Sequence, residues 1–182
     1  MSKGGIQFDP KAASLIMREE VERARQLIIN HIRINGQNAS GRTIASLKVE
    51  QPSEDETILL GHKPFGVLET GRRAGKIPYG FRGIIRQWMK DKGLHGTPIP
   101  YKTDRAHKYT PQERGDMSMA GAIAHTIANK GSRLHRTGGR ADVYSNVVPD
   151  TMKRLGQRLI FLIHQSVGSI KLNNETVGDR QQ

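Results

Sequence analysis

Asp9-Pro10 opens a helical pattern that runs to about Ile34, and that pattern constrains the rest of the chain. A capping side chain followed by Pro at the first helical position is a helix-start signal. Apolar residues then recur at Ala13, Ile16/Met17, Val21, Ala24, Leu27/Ile28 and Ile32, a single helical stripe. Arg18, Glu19, Glu22, Arg23 and Arg25 lie largely off it. Asn35-Gly36 is a C-terminal stop. The segments that follow hold few large residues, so whatever sheet they form must lean on this helix.

Leu47 and Val49 alternate with Lys48 and Glu50, which predicts a half-buried strand. Residues 52–55 form a turn and 56–61 a second strand, giving a hairpin. Residues 64–69 read as a turn or short helix. Phe81, Ile84/Ile85, Trp88 and Met89 mark a helix of about three turns, with Trp88 in the core and Lys92-Gly93 as its end. Residues 93–115 carry prolines and no periodicity, and read as a long loop. Asp116 is expected to cap the next helix, which runs to about Lys130 with Ala120, Ile123/Ala124 and Ile127/Ala128 buried. Residues 132–148 read as a basic loop with Gly138-Gly139 at its tip and a strand over 142–148. Pro149-Asp150 starts a final helix with Met152, Leu155, Leu159, Leu162/Ile163 and Ser166 on one face. The expected class is α+β, a small antiparallel sheet packed by a long N-terminal helix and several further helices, with long basic loops. The expected organisation is a flexible arm over 1–10, one domain over 11–167 with long loops at 94–115 and 132–141, and a polar tail over 168–182.

The chain has 182 residues, 35% of them hydrophobic and 5% aromatic. That predicts a small core with surface loops or arms that finish their burial against partner subunits. The net charge is +12, which favours a polyanion or an acidic protein surface, or else serves as a solubilising face. Residues 63–114 alone hold twelve Lys or Arg against four Asp or Glu. There is no cysteine, which excludes disulfides, thiolate zinc sites and cysteine nucleophiles and fits a reducing compartment. The first residues hold no apolar run suited to a signal peptide. The longest apolar run, 159–163, is too short to span a bilayer.

The stretch 66–93 is rich in glycine and strongly basic, and invites a test for phosphate chemistry. A phosphate-binding loop needs four residues between its glycines and a hydroxyl after the lysine. Gly71-Arg72-Arg73-Ala74-Gly75-Lys76-Ile77 has three and no hydroxyl. The seven histidines form no metal-binding helix pair. Glu69 is the acid beside this turn, Asp91 being the other acid of the stretch; a base role is weighed against an ion pair with Arg72 or Arg73, which is the expectation. Serine nucleophile elbows are absent. No base-reading motif is present, so any nucleic-acid contact runs through the phosphate backbone. Its candidate residues, facing DNA or a neighbouring subunit, are Arg72, Arg73, Lys76, Lys102, Arg105, Lys108, Arg133, Arg136 and Arg140.

The segments also occur in a familiar order. Ala39-Ser40-Gly41-Arg42-Thr43-Ile44-Ala45-Ser46 is followed by Val67-Leu68-Glu69-Thr70-Gly71-Arg72-Arg73-Ala74-Gly75-Lys76-Ile77-Pro78. Ile84-Ile85-Arg86-Gln87-Trp88 with Lys92-Gly93 comes next, then Ala122-Ile123-Ala124-His125-Thr126-Ile127-Ala128-Asn129-Lys130-Gly131. This ordered set, over roughly residues 12–165, resembles the tail-completion or head–tail joining proteins of tailed bacteriophages. Ala74 departs from that pattern, where a Pro is common. The resemblance implies a structural virion protein without catalytic residues or cofactors, assembled in the host cytoplasm. It also implies a homo-oligomeric ring of roughly six or twelve copies with heterologous contacts. Its implied partners are portal, adaptor or tail-tube proteins and, nonspecifically, the genomic DNA that passes through, with no membrane. The competing readings are a free, sequence-nonspecific DNA-binding protein and, third, a phosphoryl-transfer or nuclease enzyme using Glu69.

Overall fold

The computed structural model describes residues 9–103 and 105–168. Almost all of the expected N-terminal arm and polar tail therefore lies outside the described residues.

Helix α1 spans Pro10–Ile34. The Asp9 carboxylate accepts hydrogen bonds from the N–H groups of Lys11 at 3.0 Å and Ala12 at 3.3 Å, satisfying donors that no helical carbonyl can reach. Ala13, Ala24, Ile28, Ile29 and Ile32 are its buried apolar residues. After it come a short helix α2 (Arg42–Ala45) and the strands β1 (Lys48–Ser53) and β2 (Glu56–Leu60). The strands pair antiparallel with Val49 opposite Leu59 and Glu50 opposite Ile58. A register irregularity between Glu50 and Ser53 falls at Pro52, which cannot donate to a ladder. A single hairpin is not stable in water without packing, and α1 supplies that packing; α7 (Val147–Gly168) lies along α1 in turn. Leu47, Val143 and Val147 join Ala24, Ile28, Ile29 and Ile32 in one core, with Ile44, Leu59, Phe65, Leu68 and Tyr144 around it. The α+β class is thus realised with a sheet of two strands.

A second, separate core lies between α4 (Phe81–Asp91) and α5 (Pro111–Lys130). Phe81, Ile85 and Met89 face Ala120 and Ala124, with Ile77, Met119, Ile123 and Ile127 alongside. The small residues of α5 let the two helices approach closely. Polar contacts tie this helix pair to the first core. The Lys92 ammonium, just past α4, donates to the carbonyls of Gly36 and Asn38 at 2.6 and 2.7 Å; next to them the Gln37 amide donates to Leu68 O at 2.6 Å within the first core's own surroundings.

Four expectations are corrected. Trp88 is not core: it is 39% exposed, because the buried phase of α4 runs through positions 81, 85 and 89 and leaves Ile84 and Trp88 on the outer side. Asp116 does not cap α5. Thr110 does, in a capping box with Glu113, and α5 begins six residues earlier than a cap at Asp116 required, at Pro111 rather than 117. Residues 142–148 form turns and the start of α7, which begins at Val147 rather than at Pro149. The valines of this segment serve instead as two buried anchors, Val143 and Val147. The loop expected over 132–141 contains a short helix α6 (Arg133–Arg136).

Candidate polyanion and subunit interface

The turn that carries Glu69 and Arg72 is built around a buried anion. Glu69 sits in a four-residue helix, α3 (Val67–Thr70), and is 3% exposed. Its Oε1 accepts three consecutive backbone N–H groups, those of Val143 at 2.9 Å, Tyr144 at 2.7 Å and Ser145 at 2.9 Å. The Ser145 hydroxyl donates to Oε2. The Glu69 carbonyl accepts from Arg140 N at 2.9 Å. Consecutive amides curled round one oxygen form an anion nest, and here the chain supplies its own anion. Burial works to raise the Glu69 pKa; the bonds from the Ser145 hydroxyl and the three amides outweigh it and hold the carboxyl below its usual range.

Glu69 therefore does not form the expected ion pair with Arg72 or Arg73. The backbone of residues 143–145 reaches the carboxylate first and fills its lone-pair directions. Arg72 is itself engaged. Its guanidinium donates to Lys76 O at 3.0 Å and lies 5.2 Å from the centre of the Phe81 ring. Its backbone N–H donates to Ser132 Oγ at 2.9 Å, and its carbonyl accepts from Ser132 N at 2.8 Å. Gly71 precedes it with φ 67°, and a Cβ there would sit 2.4 Å from His135 N. Only glycine fits both the backbone and the space. The α3 turn and the α6 segment are thus clamped together, although about 60 residues separate them in the chain.

This clamp gathers part of the predicted basic set. Arg73, Lys76, Arg133 and Arg136 are exposed around it, at the C-terminal end of α5. Arg140 is largely neutralised by Asp142, with two bonds of 2.5 and 2.8 Å. Lys102, Arg105 and Lys108 are exposed too, but their loop is pinned to the other end of α5. There Ile99 N donates to Pro111 O at 2.9 Å. The Arg114 guanidinium donates to the carbonyls of Ile99 and Pro100 and lies 4.0 Å over the Tyr101 ring, and Tyr101 stacks on His107. The nine cations therefore form two groups separated by the 20-residue α5, about 30 Å at helical rise.

Two polar constellations escape sequence reading. Glu20, 3% exposed, receives Arg154 at 3.1 Å and Arg158 at 2.9 Å, joining α1 to α7 across 134 and 138 residues. Helical phase was the available signal for Glu20, which falls on the apolar stripe with Met17 and Ala24 while Glu19 and Glu22 do not, but its partners on α7 had none. Asp116 accepts from Gly96 N at 2.8 Å and from Gln112 at 3.0 Å, with His95 3.5 Å away; these bonds, the Gly96 amide first, lower its pKa. The Thr110 cap did carry a signal, the Thr-x-x-Glu spacing of a capping box.

Among the described residues, no three or more His, Asp or Glu side chains group as they would to hold a metal ion. No helix among them is long and apolar enough to cross a membrane. A scan of protein-family models, a search of curated proteins and a search of solved structures each find no match.

Proposed function

We propose that the protein is a structural subunit of a tailed-phage head–tail junction, a neck, connector or tail-completion ring component through which DNA passes. The observation that supports this reading best is how the residues of the resemblance are used. Leu68 packs on the first core, Glu69 fills the amide nest, and Gly71 allows the α6 clamp. These three residues of the shared turn each have a structural task, as befits a subunit whose work is assembly. The surface suits the same reading. Tyr79, Ile84 and Trp88 are exposed on and beside α4, and Met152, Ile160 and Phe161 on α7, more apolar surface than an isolated chain needs. Exposed cations at both ends of α5 would face DNA or acidic neighbouring subunits. The virion is the proposed location and host cytoplasm the place of assembly; the Glu69 enzyme reading gains no support from a carboxylate already occupied by four donors.

Electron microscopy and light scattering on the purified chain, alone and mixed with portal and tail components, test the proposal. Ring formation or stable capture by one of them is expected. A protein that stays monomeric and binds none of them overturns it.

The alternative is a free, sequence-nonspecific DNA-binding protein, favoured by the exposed Arg73, Lys76, Arg133 and Arg136 around the clamp. Its signature is salt-dependent DNA affinity. Each phosphate-contacting cation removed should reduce the slope of log affinity against log salt by about one. Strong DNA affinity without portal or tail binding favours this alternative.

A further inference from the structure

Two stretches of the chain, residues 70–90 and 117–141, hold no Asp or Glu, and the fold brings them together. Gly75 N donates to Ala128 O and Ser132 N to Arg72 O, both at 2.8 Å, so the 71–76 turn lies on the C-terminal end of α5. Six exposed cations share this region. Arg73 and Lys76 are on the turn, Arg82 on α4, Lys130 at the end of α5, and Arg133 and Arg136 on α6. Arg82 extends the group along α5. A Cβ at Gly121 would sit 3.3 Å from Arg82 Nε, so its guanidinium rests on the helix about 15 Å short of Gly131. That length matches the rise of about four base pairs of a duplex.

These charges are uncompensated. Among the described residues none of the six has an acidic partner, whereas Arg25, Arg42, Arg86, Arg140, Arg154 and Arg158 each have one. The two acids that frame the clamp are already used, Glu69 by its amides and Asp142 by Arg140. Arg72, held between Lys76 O and the Phe81 ring, adds positive charge behind the turn. Lys102, Arg105 and Lys108 stand in a different field, because their end of α5 also carries Glu113 and Asp116.

The chemistry between the cations points to phosphate. Ala74, Gly75, Thr137 and Gly138 are exposed there, small groups that let a sugar–phosphate backbone come close and offer no large apolar anchor to a protein partner. Tyr79 is the only aromatic residue of the 71–80 segment, too few for the stacked bases of a single strand. Four of the six cations are arginines, whose planar fork matches phosphate oxygens.

We propose that these six cations form one strip that binds the phosphate backbone of double-stranded DNA, and that Lys102, Arg105 and Lys108 take no part in it. This rests on the reading that the chain's exposed cations meet DNA. It assigns the contact to named residues, two of which, Arg82 and Lys130, lie outside the nine picked from the sequence.

Fluorescence anisotropy of a labelled duplex of about 20 base pairs, titrated with the full chain over roughly 50–200 mM salt, tests the assignment. Six phosphate contacts give a slope of log affinity against log salt of about −5. Arg82→Gln and Lys130→Gln, at exposed helix positions where Gln is a good helix former, should each bring the slope about one unit nearer zero. The double variant Lys102→Gln/Lys108→Gln should leave it unchanged. Circular dichroism checks that the variants keep their fold. Polyglutamate is expected to compete only weakly. No affinity for the duplex at low salt removes the DNA reading and the strip together. A slope changed by the loop double variant but not by Arg82→Gln or Lys130→Gln leaves the DNA reading standing and overturns the strip. Polyglutamate that binds as tightly as the duplex, and loses affinity in the same variants, overturns it in favour of an acidic protein surface.

Discussion

Replacing Glu69 by Ala withdraws the anion from a nest on which three backbone amides and a hydroxyl converge. The cost can be worked from its surroundings. A hydrogen bond to a charged group contributes a net ~1.5–3 kcal/mol, and a buried donor left without a partner costs ~1–3 kcal/mol. Val143, in the core, is fully buried, so its amide bears the whole penalty. The amides of Tyr144 and Ser145 are only part-buried, and water can replace part of what they lose. The expected destabilisation is about 3–4 kcal/mol, a large share of the ~5–15 kcal/mol that holds a domain together. Glu69→Gln keeps an acceptor oxygen for the amides and should cost about 1–2 kcal/mol. Urea unfolding followed by helical circular dichroism at neutral pH measures both, provided the slope with urea is unchanged. The pH dependence adds a second check. The folded pKa of Glu69 lies below its ordinary value. Its charge therefore contributes full stability above the unfolded pKa of about 4.3 and loses it as pH falls through the folded value. The gap between wild type and Glu69→Gln should narrow over that acid range. An Ala variant costing less than about 1 kcal/mol, or a Gln variant as damaging as Ala, would refute the nest argument.

Two more substitutions probe the packing, each checked by the same urea titration. Gly115→Ala, inside α5, should destabilise by about 2 kcal/mol despite better helix propensity, because its Cβ would fall 2.1 Å from Thr97 O. The control Gly83→Ala, where a Cβ meets nothing within 4 Å, should gain about 0.5–1 kcal/mol. Removing both Arg154 and Arg158 strands the buried Glu20 charge and should cost about 2 kcal/mol, a value discounted because water reaches both guanidinium groups. Glu20→Leu should be close to neutral by comparison.

The periodic elements were legible because their signals are local. The α1 stripe with its Asp9 cap and Asn35-Gly36 stop, the hairpin around residues 52–55, and the α4 pattern depend on neighbours a few residues away. Errors arose where two local signals competed. Asp116 resembled a cap, yet the Thr110–Glu113 box lay upstream. Val143 and Val147 resembled strand residues because an anchor every few positions suits a turn as well as a strand. Trp88 was misplaced because helix phase, not side-chain size, decides which apolar residue faces inward.

The candidate site divides along the same line. The sequence by itself determined the α+β composition of helices and hairpin, the excess of positive charge, the lack of cysteine chemistry and the glycine-rich turn around Glu69. Tertiary structure alone decided what that turn does. The partners of Glu69 lie 74–76 residues away, those of Arg72 at residue 132, and those of Glu20 at residues 154 and 158. No pattern within a few residues encodes such pairings. It was also packing that divided the nine cations between the two ends of α5. Charge is set by composition, but where it gathers depends on which loops the cores hold together.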